Sequence, residues 1–468
     1  MTSDIPYASV AGLRNLLDRG ELSVAELTKA TLERIDSRNA EVTAVVQLRA
    51  EGALADAATA DDVAAGERGP LHGIPVLIKD ANETADMPTS YGSMAMVGFE
   101  SGYDAVVVER LRKAGMIVIG KTNSPEFGLR PTTSNEEWGP TRNPWDTSRT
   151  AGGSSGGAAA AVALGMVPVA QGSDGGGSCR IPASCCGVIG LKPSRGLIPW
   201  APIAYEYWAG LATNGPLART VADTRLLLDA MAGPVVGEPY GVYRAPVTAA
   251  DTSRHRVVGV TTRNPHGDVD PRIVAAVQET ARAFEAQGWA VEEIDLDLSG
   301  LAEPFMTVLE GNSAATVEGV VGEAKLHLLE DNTLALAMRG KGKTAGDYAA
   351  AVSAMRNRSA QLMVTTEPYD IVLTPTLTQV PPLIEGYDQA ADNTALWERY
   401  LDWLGFTYPY NCTGQPAVTI PGGLVDGVPV GVQLIGRMGD DEGVLAAAEV
   451  IERARPWAQE YVTRFGGE

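Results

Sequence analysis

The chain has 468 residues, 45% hydrophobic and 20% charged, with a formal net charge of −21. That apolar fraction excludes a disordered chain. The acidic balance, with no Lys/Arg cluster, argues against nucleic acid or an anionic membrane surface as partner, since both need basic surface.

The opening MTSDIPYASV lacks a basic stretch followed by an apolar one, so no secretory leader is expected. Ser23-Val24-Ala25-Glu26 is a capping-box pattern, and Leu27, Leu32 and Ile35 give the following helix an apolar face. Alanine-rich sequence carries the helical character to about residue 65. A strand is predicted over Ile74–Ile78, ending in Lys79-Asp80. Asp104 is placed to cap a helix that turns Val107, Val108 and Leu111 inward and stops at Gly115, and Met116–Ile119 is the next strand. Residues 123–153 form a long loop of the kind that carries function. A helix over Ser155–Leu164 and a strand over Met166–Gln171 follow. The longest apolar run, Ala158 to Ala170, is broken by Gly165 and Pro168 and is too short to span a bilayer. Gly172–Gly177 is again loop.

Beyond Pro193, Val257–Thr262, Arg272–Gln287 and Trp289–Leu296 read as strand, helix and strand. Residues 300–365 are helical, Ile371–Leu373 is a short buried strand, and a last helix covers about 441–454. Ala417–Ile420 and Val428–Ile435 make a hairpin about Asp426-Gly427. Strands interleave with helices, no repeat occurs and no linker divides the chain. The expectation is one α/β domain over 1–468: N-terminal helices (1–65), a core (66–200), a semi-separate variable layer (200–410) and C-terminal core strands with a helix (411–468).

Three segments bear chemistry. Gly152-Gly153-Ser154-Ser155-Gly156-Gly157 has the composition of a flexible linker, but it runs directly into a helix, where backbone N–H groups are offered to a ligand. Gly175-Gly176-Gly177-Ser178 stands one helix and one strand later. Three glycines expose consecutive N–H groups to one small volume, as an oxyanion hole requires, and the Walker ending of a phosphate loop is absent. Lys79 ends an apolar strand. It either snorkels to the surface or, kept dry, loses its proton and serves as a base. The four histidines, His72, His255, His266 and His327, sit in no motif of a serine triad, and no metal-ligand spacing occurs. Cys179, Cys185, Cys186 and Cys412 lack an evident catalytic partner and read as small core residues. They are too few for a disulfide framework, and reduced thiols fit a cytoplasmic protein. A serine–lysine arrangement remains.

Together with GIPVLIKD, GKTNSPEFGLRPTTSNEEWGPTRNPWD and the C-terminal YNCTGQPAVTIPGG…GVPVGVQLIGR, these segments resemble the amidase signature family, densely over 70–200 and 405–437. The resemblance implies a large central mixed β-sheet with helices on both faces. It implies Lys79 as base, Ser154 as a bridging serine on a cis peptide bond, and Ser178 as acyl-accepting nucleophile. The amides of Gly175, Gly176, Gly177 and Ser178 match the oxyanion hole, and Asp174 with Arg180 a charge pair bracing that loop. The segment Phe127, Gly128, Leu129, Arg130, Pro131 and the residue Ser173 match the substrate pocket. The implied activity is hydrolysis of small acyl or aryl amides with water, without cofactor or metal. Carbamate or ester hydrolysis at the same site is an alternative. The glutaminase subunit of a tRNA-dependent amidotransferase is another, weakened because Ile181, not Gln, follows Arg180. Tyr205, Tyr207 and Trp208 either line an entrance or pack in the core, while Trp138 and Trp145 are expected to pack. A homodimer is left open.

Overall fold

The computed structural model describes residues 5–241, 256–389 and 392–466, so His255 lies outside the described residues. One 11-stranded mixed sheet runs through the molecule in the order β1-β3-β2-β4-β6-β5-β10-β11-β9-β7-β8. The strands are β1 (Val45–Leu48), β2 (Pro75–Lys79), β3 (Ile117–Thr122), β4 (Val169–Asp174), β5 (Ile189–Lys192), β6 (Thr213–Ala218), β7 (Val257–Val260), β8 (Ala290–Glu293), β9 (Ile371–Pro375), β10 (Ala417–Val425) and β11 (Val428–Ile435). β2 lies parallel between β3 and β4. Every residue of these three strands is buried, and the near-continuous apolar run of β2 follows from being covered on both faces.

The capping box at Ser23 forms: its Oγ accepts from Glu26 N at 3.0 Å and Glu26 Oε2 accepts from Ser23 N at 2.8 Å. The resulting helix, Val24–Val42, buries Leu27 and Ile35. The helical reading of 1–65 needs one correction, because the edge strand β1 interrupts it and pairs antiparallel with β3. Asp104 is also not the helix cap. The helix Val106–Lys113 starts from Ala105 without a side-chain cap, and Asp104 instead accepts from Ala85 N at 2.8 Å and pairs with Arg112 Nε at 3.0 Å. Between these sites β4 begins and ends three residues later than Met166–Gln171. Ser173 and Asp174 therefore belong to the strand, in register with Asn214 and Thr213 of β6.

The C-terminal hairpin forms as expected. Asp426 (φ 53°) and Gly427 (φ 77°) both take the positive φ of a tight hairpin turn, and β10 pairs with β11 and with β5. The helices Ala302–Thr316, Asp331–Lys341 and Ala345–Thr366 pack on one another through the helix Ala302–Thr316. Among the described residues no helix is long and apolar enough to cross a membrane.

Candidate active site

Lys79 closes β2 with its side chain fully buried. Its backbone N donates to Gln171 Oε1 of β4 at 3.0 Å, tying the two strands where the site opens. Its Nζ lies 2.6 Å from Ser154 Oγ and 2.9 Å from Ser173 Oγ. Burial pulls the amine down to about 8, against the field of the ionised Asp174, which favours the ammonium form.

Ser154 follows a cis Gly153–Ser154 peptide bond. A side chain at Gly153 would sit 2.5 Å from the carbonyl carbon of Thr132, so only glycine admits this close passage of two backbones. Ser155 then pins the run to β4. Its Oγ donates to Ser173 O at 3.1 Å and accepts from Ser173 N at 3.2 Å, while its N donates to Ser178 O at 3.1 Å. The following helix, Gly156–Ala163, is wholly buried. The glycine–serine run is thus a rigid turn held on three sides, and the linker reading falls away.

Ser178 is 8% exposed and Ser154 2%, and both line one cavity of about 30 Å³ with Lys79, Ser173 and Gly175. Tyr91, Phe127, Trp200, Tyr207 and Trp208 supply its aromatic wall. Trp200 stacks on Tyr207 (centroids 4.8 Å apart) and Tyr207 on Trp208 (5.5 Å). A second cavity of about 30 Å³ meets the first at Gly128, Ser178 and Trp208. Its walls include Leu129, Arg130, Ile181, Phe305 and Trp397. Ser178 thus stands where two narrow, largely apolar compartments join.

Of the glycine-loop amides, that of Gly177 donates to Asp174 Oδ1 at 2.9 Å. Those of Gly175, Gly176 and Ser178 donate to no protein acceptor among the described residues. Asp174 also accepts from Cys179 N at 3.1 Å, from Arg180 Nε at 2.9 Å and Nη2 at 2.8 Å, and from Asn411 Nδ2 at 2.8 Å. Burial pushes its carboxyl up, but the Arg180 charge and the hydrogen bonds of Arg180 and Asn411 prevail and hold it at about 2. Arg180, fully buried, spends its remaining donors on Thr407 O, Gln433 Oε1 and Asn411 Oδ1.

Each sequence-predicted pocket residue lies against one cavity or both: Phe127 and Ser173 on the first, Leu129, Arg130 and Pro131 on the second, Gly128 on the two. Arg130 keeps little free charge, because it bridges to Glu330 and lies 3.8 Å from Asp388. Burial of Glu330, opposed by Arg130, brings that carboxyl up to about 7. Tyr207 and Trp208 line the cavity, whereas Tyr205 is exposed. Trp145 packs on Phe465 as expected, but Trp138, also expected to pack, is exposed. The four cysteines are free and buried, and burial pushes the Cys179 thiol up, which suits a core residue and not a thiolate. His72 contacts Ala60 O, and His266 contacts the Tyr408 hydroxyl. Among the described residues no three His, Cys, Asp or Glu side chains group as a metal site. Trp200, Tyr91, Phe305 and Trp397 were not legible as site residues. They come from four distant segments, and only the fold gathers them.

The chain is similar to known proteins over nearly its whole length. Residues 26–445 match the model of the family described as Amidase. The chain is 38% identical over 452 residues to an acylamidase of Rhodococcus erythropolis, covering 93% of each chain. A solved 6-aminohexanoate cyclic dimer hydrolase, complexed with substrate, superposes with a TM-score of 0.91 at 33% identity, over 97% of this chain and 98% of that one. A bacterial aryl acylamidase of the amidase signature enzymes superposes with a TM-score of 0.86 at 28% identity, over 99% of each.

Proposed function

We propose that this chain, which belongs to the Amidase family and hydrolyses amide C–N bonds, does so through an acyl-enzyme on Ser178, with Lys79 as base and Ser154 as proton bridge. The observation that carries the reading is the 2.6 Å contact of a dry lysine amine with a serine hydroxyl that lines the same cavity as a second serine. Neutral Lys79 takes the Ser154 proton as Ser154 takes that of Ser178. The Ser178 oxygen bonds to the amide carbon, and the carbonyl electron pair moves onto its oxygen. The amides of Gly175, Gly176 and Ser178 receive that oxyanion, Gly177 being committed to Asp174. The relay returns its proton to the nitrogen and the amine leaves, and water repeats the sequence on the ester. No hydrogen bond joins Ser154 and Ser178 among the described residues, although both line one cavity, and the relay requires their hydroxyls to come within hydrogen-bond reach in the substrate complex.

The substrates supported are small acyl or aryl amides, since both compartments at Ser178 are narrow and mainly apolar. Esters and aryl carbamates present the same carbonyl to the same groups. A glutaminase subunit is not favoured, given Ile181 after Arg180 and the acylamidase and cyclic dimer hydrolase among the relatives.

The test is a panel of p-nitroanilides, primary amides, esters and aryl carbamates on the native protein and on Ser178→Ala. Loss in the variant on the order of 10⁴-fold or more is expected, with a fluorophosphonate adduct located on Ser178 by mass spectrometry in the native protein alone. Activity that survives Ser178→Ala would falsify the assignment.

A further inference from the structure

Three successive glycines give the loop before Ser178 more backbone freedom than any other tripeptide, yet an oxyanion hole stabilises a transition state only if its donors are already aimed. The structure holds one peptide unit of this loop at both ends. The carbonyl of Gly176 accepts from Thr407 Oγ1 at 2.7 Å, and the N–H of Gly177, in the same plane, donates to Asp174 Oδ1 at 2.9 Å. The amides on either side, Gly176 and Ser178, are two of the three left without a protein acceptor. Each is separated from the held plane by the two dihedrals of one residue.

Thr407 is itself immobilised. It is fully buried, its N donates to Leu404 O at 2.9 Å, and its carbonyl accepts from Arg180 Nη1 at 2.8 Å. The same guanidinium grips Asp174, so one buried cation sets both sides of the clamp. The hydroxyl also touches Leu404 O, at the longer distance of 3.0 Å. The approach is so close that a Cβ on Gly177 (φ 134°) would lie 2.4 Å from Thr407 Oγ1.

We propose that Thr407 is a positioning residue for amide hydrolysis: its hydroxyl, bonded to the Gly176 carbonyl, orients the flanking Gly176 and Ser178 amides toward the oxyanion. The inference rests on the assignment of those amides and of Ser178 made above. Thr407 touches no reacting atom, so its loss acts on the transition state through the loop.

The experiment compares Thr407→Val, Thr407→Ser and Thr407→Cys with the native enzyme, using a p-nitroanilide substrate and an aliphatic trifluoromethyl ketone. The ketone forms a C–O bond to Ser178 Oγ, its carbonyl pair becomes the oxyanion, and the serine proton passes to the relay. Thr407→Val is expected to lower kcat about 10- to 100-fold, below the ~10²–10³ of a whole lost donor. KM should stay within about two-fold, and affinity for the ketone should weaken by the same factor as kcat/KM. Thr407→Ser should restore all three values. Unchanged ketone affinity in Thr407→Val, or kcat and KM worsening together, overturns the proposal. If Thr407→Val does not fold, the pair Thr407→Ser (hydroxyl kept) and Thr407→Cys (weak donor) decides. Retention only in the serine variant supports it, and equal behaviour of the two overturns it. A native enzyme that forms no ketone adduct on Ser178 refutes the acyl-enzyme reading instead, so the two failures are distinguishable.

Discussion

Lys79 and Lys121 stand on neighbouring parallel strands, one register step apart, and neither side chain is exposed. Their surroundings differ in one respect that decides their chemistry. Lys121 Nζ donates to Asn82 O at 2.6 Å and Thr89 Oγ1 at 2.8 Å and lies 3.8 Å from Asp80. Burial pulls it down, but Asp80 and then Glu83 act to keep the ammonium form. Lys79 has two hydroxyls and no carboxylate in contact. Lys192, at the end of β5, adds a control: burial and the Arg180 charge bring it down to about 7, yet its Nζ bonds the adjacent Pro193 carbonyl at 2.8 Å and lines neither cavity at Ser178. A depressed amine is therefore common to the three. Contact with hydroxyls on a cavity is what singles out Lys79.

The sharpest way to break this comparison is Lys79→Met. It should lower kcat on the order of 10²–10⁴-fold, the range of a lost general base, while urea unfolding shows no loss of stability, because an uncompensated amine leaves the core. Lys121→Met should do the reverse. Asp80 would be left buried without its cation, and unfolding free energy should fall by about 3–5 kcal/mol, with the folded fraction keeping the native pH profile of kcat/KM. If Lys121→Met alters that profile and Lys79→Met does not, the two roles have been exchanged.

The pH profile itself gives the next effect. A base acts in its neutral form, so with Lys79 in the proposed role kcat/KM should rise about tenfold per unit up to about pH 8 and level off above it. Stability is linked to the same proton. The unfolded chain binds it up to ~10.4, so between about 8 and that value the unfolded state carries more protons and native stability rises with pH. Below about 8 the penalty for burying the ammonium form is constant. Titration of unfolding free energy in native enzyme and Lys79→Met should show this rise in the native protein and lose the Lys79 part of it in the variant.

Much of this arrangement was legible locally. An apolar strand ending in lysine, glycines running into a helix, glycines before a serine and an Asp-Gly turn each reflect a backbone requirement that a few adjacent residues satisfy. What escaped was set at a distance. β1 was read as helix because four residues of edge strand acquire their conformation from pairing with β3. Asp104 resembled a cap but is claimed by Arg112 and Ala85. Ser173 and Asp174 looked like loop because glycine-rich polar sequence gives no strand pattern, while pairing with β6 extends the strand through them. Thr407 carries no signal of its own, and its partner stands 231 positions away.

The inclusion of Ser173 in β4 yields the smallest effect and the finest test of what Lys79 does. The strand aims its Oγ at Lys79 Nζ, 2.9 Å away. A hydroxyl oxygen accepts more strongly from an ammonium than from a neutral amine, since a charged donor makes the stronger bond. Ser173→Ala removes an acceptor that favours the protonated form, so the inflection near pH 8 should move toward acid, by about half to one unit if the lost preference is roughly 1 kcal/mol. The plateau should fall only a few-fold, because the 2.6 Å contact to Ser154 survives. Relative to native enzyme, the variant then performs better at pH 6 than at pH 9. An inflection that stays in place or moves toward alkali, measured from kcat/KM between pH 6 and 10, would mean that Ser173 serves the neutral amine, and that Ser154 alone governs the proton on Lys79.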